Sequence, residues 1–349
     1  MKFLLLTMIT LAMIGLDVRF AGADQARPAR AEADTLRWPV DLPVYDHVVI
    51  VVEENKGYDR IIGNPAADYI NNVLKKEGAN FTRAYAEEHF SEGNYFWLFS
   101  GDNQNVGYLD RIPSKWNNSA YPFTTANLGQ QLLAKGLSFK GYAESLPAIG
   151  FSGDDKGLYA RKHVPWISFA NVPNGATLAT SSNLRFADFP RNPGDYHTLP
   201  TVAFVIPNQG NDMHNGPSDK SIPAGDAWLK QYFDPYYQWA KQHNSLLIVT
   251  FDETDDKGGH YGLTDPRACT AAGREQCLEL QNRIVTIFAG AHIRPGDYPE
   301  GKGITHVNIL RTLEAMYALP RAGSQQAKAA AAGIADDYII TDVFSGTQH

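Results

Sequence analysis

Two apolar runs that lack alternation constrain this fold most. Residues 48–52 are all Val or Ile and lead into Glu53, Glu54 and Asn55, while residues 246–251 lead into Asp252 and Glu253. Short aliphatic runs without a polar residue at every second position read as strands buried on both faces, the pattern of a parallel sheet covered by helices. In open α/β sheets, ligands bind at the carboxyl ends of the strands. Two acidic groups placed at two such ends repel one another unless a cation neutralises them, which points to a hard-cation site. A hydroxyl beside that cation becomes a nucleophile. Ser91, within His89-Phe-Ser-Glu-Gly-Asn94-Tyr95, is the candidate.

The chain has 349 residues, enough for one large α/β domain or two smaller ones. Its 44% hydrophobic and 20% charged content is that of an ordinary globular protein. A net charge of −7 with no basic block argues against a nucleic-acid partner. The start of the chain reads as an export signal over residues 1–23. Lys2 supplies the positive end, residues 3–15 the apolar stretch, and Ala21-Gly22-Ala23 the cleavage site. The apolar stretch, about 13 residues, falls short of the roughly 20 that a spanning helix needs, so no stable membrane span is expected after cleavage. An uncleaved anchor is the alternative. Periplasmic or extracellular localisation follows from export. In such an oxidising compartment Cys269 and Cys277 are expected to pair as a disulfide. Neither cysteine sits in a nucleophile context, and no further soft ligand lies near them in sequence.

Residues 24–44, rich in Ala, Arg and Pro, read as a flexible mature N-terminus, and residues 45–349 as the catalytic domain. Strands are expected at 47–52, 81–86, 137–142, 201–207, 246–251 and 284–290. Helices are expected at 66–76, 125–135, 226–243 and 305–317, the last with Thr305 as N-cap. Ser91 is expected just ahead of a further buried helix beginning near Asn94, where free N–H groups favour an anion. Residues 150–182, rich in Gly, Asn, Pro and aromatics, read as a long excursion over the carboxyl edge of the sheet. The strand–helix–strand rhythm implies a mostly parallel sheet with right-handed crossovers.

These motifs resemble, in order along the chain, those of the bacterial and fungal phosphoesterase family. That family includes acid phosphatases and phospholipases C and belongs to the alkaline phosphatase superfamily. The matching pieces are Glu53-Glu54-Asn55-Lys56-Gly57-Tyr58-Asp59, residues 89–95, residues 139–147, Arg161-Lys162-His163, Asn211-Asp212-Met213-His214, Asp252-Glu253, and Thr305-His306 with residues 310–314. The resemblance implies an alkaline-phosphatase-like α/β fold, a central mostly parallel sheet sandwiched between helices. It implies Glu54, Asn55, Asp252 and Glu253 as metal ligands and Ser91 as nucleophile. Asn94 would hold a phosphoryl oxygen, and His163, Asp212, His214 and His306 would surround the phosphate. Asp252-Glu253, with Asn208 and Asp212 in place of the Asp-x-x-x-His of the two-zinc branch, resembles the one-metal members. The absence of a Cys or Ser followed by x-Pro-x-Arg at the nucleophile disfavours a sulfatase.

All four expected ligands offer oxygen, which suits one divalent ion such as Mg²⁺, Ca²⁺ or Mn²⁺, with iron or zinc as alternatives. His214 and His306 are the candidate acids for the leaving group. Lys162 with His163 forms a basic dipeptide suited to phosphate. The reading is an exported, metal-dependent phosphoesterase that hydrolyses small phosphate monoesters in the manner of acid phosphatases, through a phosphoserine. The alternatives are a phospholipase C or other phosphodiesterase using the same site, a non-catalytic phosphate binder, and a metal-independent glycosidase with paired carboxylates.

Overall fold

The structure, a computed structural model, describes residues 42–106, 110–255, 282–299 and 301–345. The signal segment, most of the flexible N-terminus and the Cys269–Cys277 pairing lie outside the described residues.

Eleven strands are described: β1 His47–Glu53, β2 Ala79–Phe81, β3 Ala84–Tyr85, β4 Phe139–Ala143, β5 Asn183–Arg185, β6 Val202–Ile206, β7 Ser245–Phe251, β8 Arg283–Ile284, β9 Thr286–Gly290, β10 Gly296–Tyr298 and β11 Ile304–Thr305. Eight form the central sheet in the order β10-β2-β9-β7-β1-β6-β4-β5, and β11-β3-β8 form a second, small sheet. The β7-β1-β6-β4-β5 segment is parallel throughout; β9 runs antiparallel to both of its neighbours. Val48 to Val52 and Leu246 to Val249 are at most 1% exposed, as unalternating runs in a sheet covered on both faces must be.

Three departures from the sequence pattern have local causes. The strand expected at 81–86 is two strands in different sheets, because the chain turns at Thr82 and Arg83. The helix expected at 226–243 runs over Ser218–Ala240 and carries Pro223 and Pro235 inside it. Ser91 is the first residue of its helix, Ser91–Ser100, rather than a residue ahead of it. That helix is buried along its whole length and ends at Gly101, whose φ of +63° is the left-handed cap that glycine adopts without strain. It packs against the His306–Met316 helix, which opens with the expected Thr305 cap, joined by Asn308 in a capping box.

The excursion over residues 150–182 is irregular apart from the short turns Arg161–His163 and Pro165–Ser168. Trp166 anchors it to the sheet. Its ring lies where a β-carbon on Gly141 of β4 would stand, 2.2 Å from the ring atoms, and its indole N–H donates to Asn183 Oδ1 at 3.0 Å. Gly141 is therefore a close-approach glycine, and the contact carries Lys162 and His163 toward the strand ends.

Candidate active site

Parallel register brings the acids together. Glu53 of β1 is level with Phe251 of β7, and Val51 of β1 with Val205 of β6. The three strands therefore release their chains at the same edge. Two backbone bonds lock the outgoing loops: Asp252 N–H donates to Glu53 O at 3.0 Å, and Glu54 N–H donates to Asp212 O at 2.7 Å. Glu54, Asp212, Asp252 and Glu253 converge there, each no more than 4% exposed. Between Asp212 and His214 the buried Met213 adopts φ +74°, a conformation bulky residues seldom take, and this bend re-aims the chain at the cluster.

Ser91 reaches the acids from the helix start. Its hydroxyl lies 2.6 Å from Glu54 Oε1 and 3.0 Å from Glu253 Oε1, in position to donate to either. The N-cap residue is Phe90, which offers no side-chain acceptor, and the Glu92 N–H donates to Asp110 Oδ1 at 3.1 Å. Asp110 thus takes one N–H of this helix start, and the dipole there still favours a phosphoryl group beside the hydroxyl.

Basic side chains flank the cluster. Lys162 Nζ is 2.7 Å from Asp110 Oδ2 and 3.5 Å from Glu54 Oε1. His163 Nε2 is 2.7 Å from Glu54 Oε2, and its ring stacks on Tyr95 at 4.8 Å. His214 is half-buried; its backbone N–H donates to Asp212 Oδ1 at 2.9 Å, and its ring Nδ1 pairs with Asn215 Oδ1. Burial works to raise the Glu54 carboxyl, but His163, Lys162 and His214 outweigh it and hold the group well below the usual carboxylate range. Asp252 and Asp212 are pushed the other way, first by burial and then by the Glu54 charge.

Two expected site residues do other work. Asn94 was expected to face a phosphoryl oxygen. Instead its Oδ1 accepts the Glu88 N–H at 2.9 Å and its Nδ2 donates to Glu88 O at 2.7 Å, so both ends of the amide clamp the loop that delivers Ser91. His306 was expected as an acid at the phosphate. Its Nδ1 is 2.7 Å from Glu87 Oε2 and its Nε2 2.8 Å from Phe251 O, so both nitrogens are engaged. It braces the carbonyl immediately ahead of Asp252, and Glu87 also accepts the Val307 N–H at 3.0 Å. Asn55 is half-buried beside Glu54, and its carbonyl accepts from Lys56 Nζ at 2.9 Å.

Three residues that pattern reading passed over belong to the site. His89 Nδ1 lies 2.5 Å from Glu253 Oε2, Asp110 holds Lys162, and Tyr95 stacks on His163. His89 stands two places from Ser91 in the same motif, a signal available in sequence; the other two depend on packing. Glu53, the last residue of β1, is fully buried, with its carboxyl raised by burial and by Asp212.

The donor atoms fit a cation. Asp212 Oδ2 and Asp252 Oδ2 are buried and have no hydrogen-bond partner among the described residues. Ligand atoms of Glu54, Asp252 and Glu253 lie within 4.8 Å of one another, and so do those of Glu54, His163 and Asp212. Buried polar atoms left unmatched are costly, and a cation satisfies several at once.

The family model of the Phosphoesterase family matches residues 64–320, a span that holds Ser91, His163, Asp212, Asp252 and Glu253. The chain belongs to the phosphoesterase family. It is 45% identical over 282 residues to a phosphatidylinositol-3-phosphatase of Mycobacterium tuberculosis, covering 81% of this chain and 80% of that one. It is 29% identical over 296 residues to a probable acid phosphatase of Kluyveromyces lactis, covering 81% of this chain and 61% of the other. Among solved structures, a protein of the alkaline phosphatase superfamily from Vibrio parahaemolyticus shares the fold with a TM-score of 0.51 at 11% identity, over 81% of this chain and 72% of that one. This phosphoesterase is therefore a phosphoric ester hydrolase with the expected alkaline-phosphatase-like sheet.

Proposed function

We propose that this chain is an exported, metal-dependent phosphatase that hydrolyses phosphate monoesters through a phosphoserine on Ser91. The observation that carries the reading is the Ser91 hydroxyl, held 2.6 Å from Glu54 and 3.0 Å from Glu253 at the first residue of a helix. Glu54, Asp252 and Glu253, with Asn55 beside them, would hold a divalent cation. When bound, such an ion stabilises charge on a phosphoryl oxygen and acidifies a neighbouring hydroxyl.

The side chains divide the remaining work. Glu253 takes the Ser91 proton as Oγ attacks phosphorus in line, and its own position is fixed by His89. The helix N–H groups and Lys162 bind the phosphoryl oxygens. The bond from phosphorus to the leaving oxygen breaks, and that oxygen takes a proton from His214, a half-buried imidazole beside Asp212. Water then attacks the phosphoserine, returning Ser91 and releasing inorganic phosphate. The relatives' names make simple monoesters and phosphatidylinositol 3-phosphate the substrates to compare.

The test is hydrolysis of p-nitrophenyl phosphate, bis-p-nitrophenyl phosphate and phosphatidylinositol 3-phosphate by wild type and Ser91→Ala, with and without chelator. Chelator-sensitive monoester release that Ser91→Ala abolishes supports the reading. A preference for the diester moves it to a phosphodiesterase, and full activity in Ser91→Ala removes the phosphoserine.

A further inference from the structure

Leu158 stands at the tip of a tight hairpin turn. Lys156 and Tyr159 exchange backbone bonds, each N–H donating to the other's carbonyl at 3.1 Å, and Gly157 takes φ +62°. In two-residue turns with the glycine first, the second position ordinarily falls to a small polar residue. Here it holds Leu158, a large apolar side chain left 45% exposed. The backbone of such a turn gains nothing from a leucine. The side chain buries little, so an asparagine would serve the fold as well.

The neighbours of Leu158 tie it to the site. Its carbonyl accepts the Gln209 N–H at 3.1 Å, and its Cδ1 lies 3.3 Å from where a β-carbon on Gly210 would stand. Gln209 and Gly210 belong to the closed loop that carries Asp212 and His214. In that loop Asn211 N–H and Asp212 N–H donate to Asn208 O at 2.8 and 3.0 Å, and Asn215 N–H donates to Gln209 O at 3.1 Å. Glu144 fixes the same loop by accepting from Asn208 N–H and Asn211 Nδ2. The hairpin itself runs on into Lys162, whose Nζ is 3.5 Å from Glu54 Oε1. Leu158 thus rests on the loop that holds His214, in a segment that also delivers Lys162. A lone exposed leucine on a surface needs no explanation. This one is displayed rigidly, between the residue assigned to the phosphoryl oxygens and the residue assigned to the leaving oxygen.

We propose that Leu158 forms an apolar wall on the leaving-group side of the site, so that the enzyme selects phosphate monoesters with an aryl or alkyl surface next to the ester oxygen over small polar ones such as glycerol phosphate. The proposal rests on the assignment of Ser91 as nucleophile and His214 as leaving-group acid, and adds the substrate class. An apolar group laid against Leu158 takes both surfaces out of water, whereas a hydroxylated one gains nothing there. One hydrophobic contact of this kind discriminates by about 10-fold or more. Leu158 touches the leaving group only and takes no part in the phosphoryl chemistry.

The experiment is titration calorimetry of the metal-loaded full chain with phenylphosphonate and methylphosphonate, two probes that share one headgroup and are not hydrolysed. The proteins are wild type, Leu158→Asn and Leu158→Met. Asparagine suits the second position of such a turn, so the hairpin is kept. Wild type is expected to bind phenylphosphonate about 10-fold more tightly than methylphosphonate. Leu158→Asn is expected to lose most of that preference with its affinity for methylphosphonate unchanged, and Leu158→Met to retain it. Equal affinity for the two probes in wild type, binding of neither, or a preference intact in Leu158→Asn overturns the wall. A matching fall in both affinities in Leu158→Asn also overturns it, because it marks a structural role. Turnover of p-nitrophenyl phosphate on the same preparations keeps the two readings apart. A wild type with the preference but no turnover sinks the phosphatase reading alone, and an active enzyme without the preference sinks the wall alone.

Discussion

Glu53 and Phe251 are register partners in neighbouring parallel strands, so Glu54 and Asp252, the residues that follow them, leave the sheet side by side. That adjacency places two carboxylates in one buried volume and forces the question of what neutralises them. Two unit charges about 4 Å apart at an effective dielectric of 20 interact by about 4 kcal/mol, too much to leave uncompensated in a marginally stable protein.

Removing the nucleophile separates chemistry from folding. Ser91→Ala is expected to lower kcat on p-nitrophenyl phosphate by about 10³-fold or more, with the melting temperature held or raised, since a buried hydroxyl between two acids is lost. Rapid-quench trapping of phosphoenzyme in wild type, and its absence in the variant, checks the step.

Asn94 is expected to act on stability. Asn94→Ala leaves the Glu88 N–H without its partner at 2.9 Å, while the Glu88 carbonyl loses Asn94 but keeps Asn282 Nδ2 at 2.8 Å. A buried group so stranded costs about 1–3 kcal/mol, so urea unfolding should show a loss of about 1–3 kcal/mol. Unchanged stability with a large rise in KM would return Asn94 to the phosphate.

His306 braces the strand end, so its loss should not depend on the leaving group. His306→Ala is expected to lower kcat by a similar factor for p-nitrophenyl phosphate and for an alkyl phosphate, because it loosens Asp252 and Glu253 rather than withholding a proton. It should also destabilise by about 3 kcal/mol, since the buried Glu87 loses its partner. A defect confined to the alkyl ester would identify an acid instead.

Chelation should weaken the fold. Buried carboxylates that hold an ion in the native state lose that linkage when it is removed, and ligand at about 1,000 times its Kd contributes about 4 kcal/mol. Scanning calorimetry is expected to show a melting temperature lower by about 5 °C or more in chelator, with a smaller drop in Asp252→Asn. Identical melting curves would argue against resident metal.

Glu88 gives stability a pH slope. Burial raises its carboxyl from 4.5 to about 7, although Trp97 and Asn103 donate to it. An acid with a raised native pKa keeps its proton longer in the folded state. Its stabilising effect is therefore full below pH 4.5 and is lost as pH rises through 7. Glu88→Gln keeps the shape and cannot ionise. Relative to wild type it should gain on the order of 2 kcal/mol between pH 4.5 and 8 in denaturant titrations, and nothing below that window.

Much of the candidate cluster was legible as chain order. Unalternating runs at 48–52 and 246–251 announced buried parallel strands, because only a sheet covered on both faces tolerates them. Glu54, Asp252 and Glu253 were placed by where those runs stop, and Ser91 by its motif and by the helix that follows. The contacts of Asn94 and His306 could not be read from their motifs, since their partners Glu88, Glu87 and Phe251 are set by loop packing.

The sequence by itself determined the strands, their carboxyl ends and the residue types gathered there, because hydrophobic periodicity is local and survives without tertiary context. Only the tertiary structure decided which lone pairs meet. Glu54 lies level with Asp252 through sheet register, and His163 reaches Glu54 because Trp166 seats its segment on Gly141. Asp212 arrives through one backbone bond to Glu54. The contacts of Glu54 join residues more than a hundred positions apart, and their geometry is fixed by packing that no local pattern encodes.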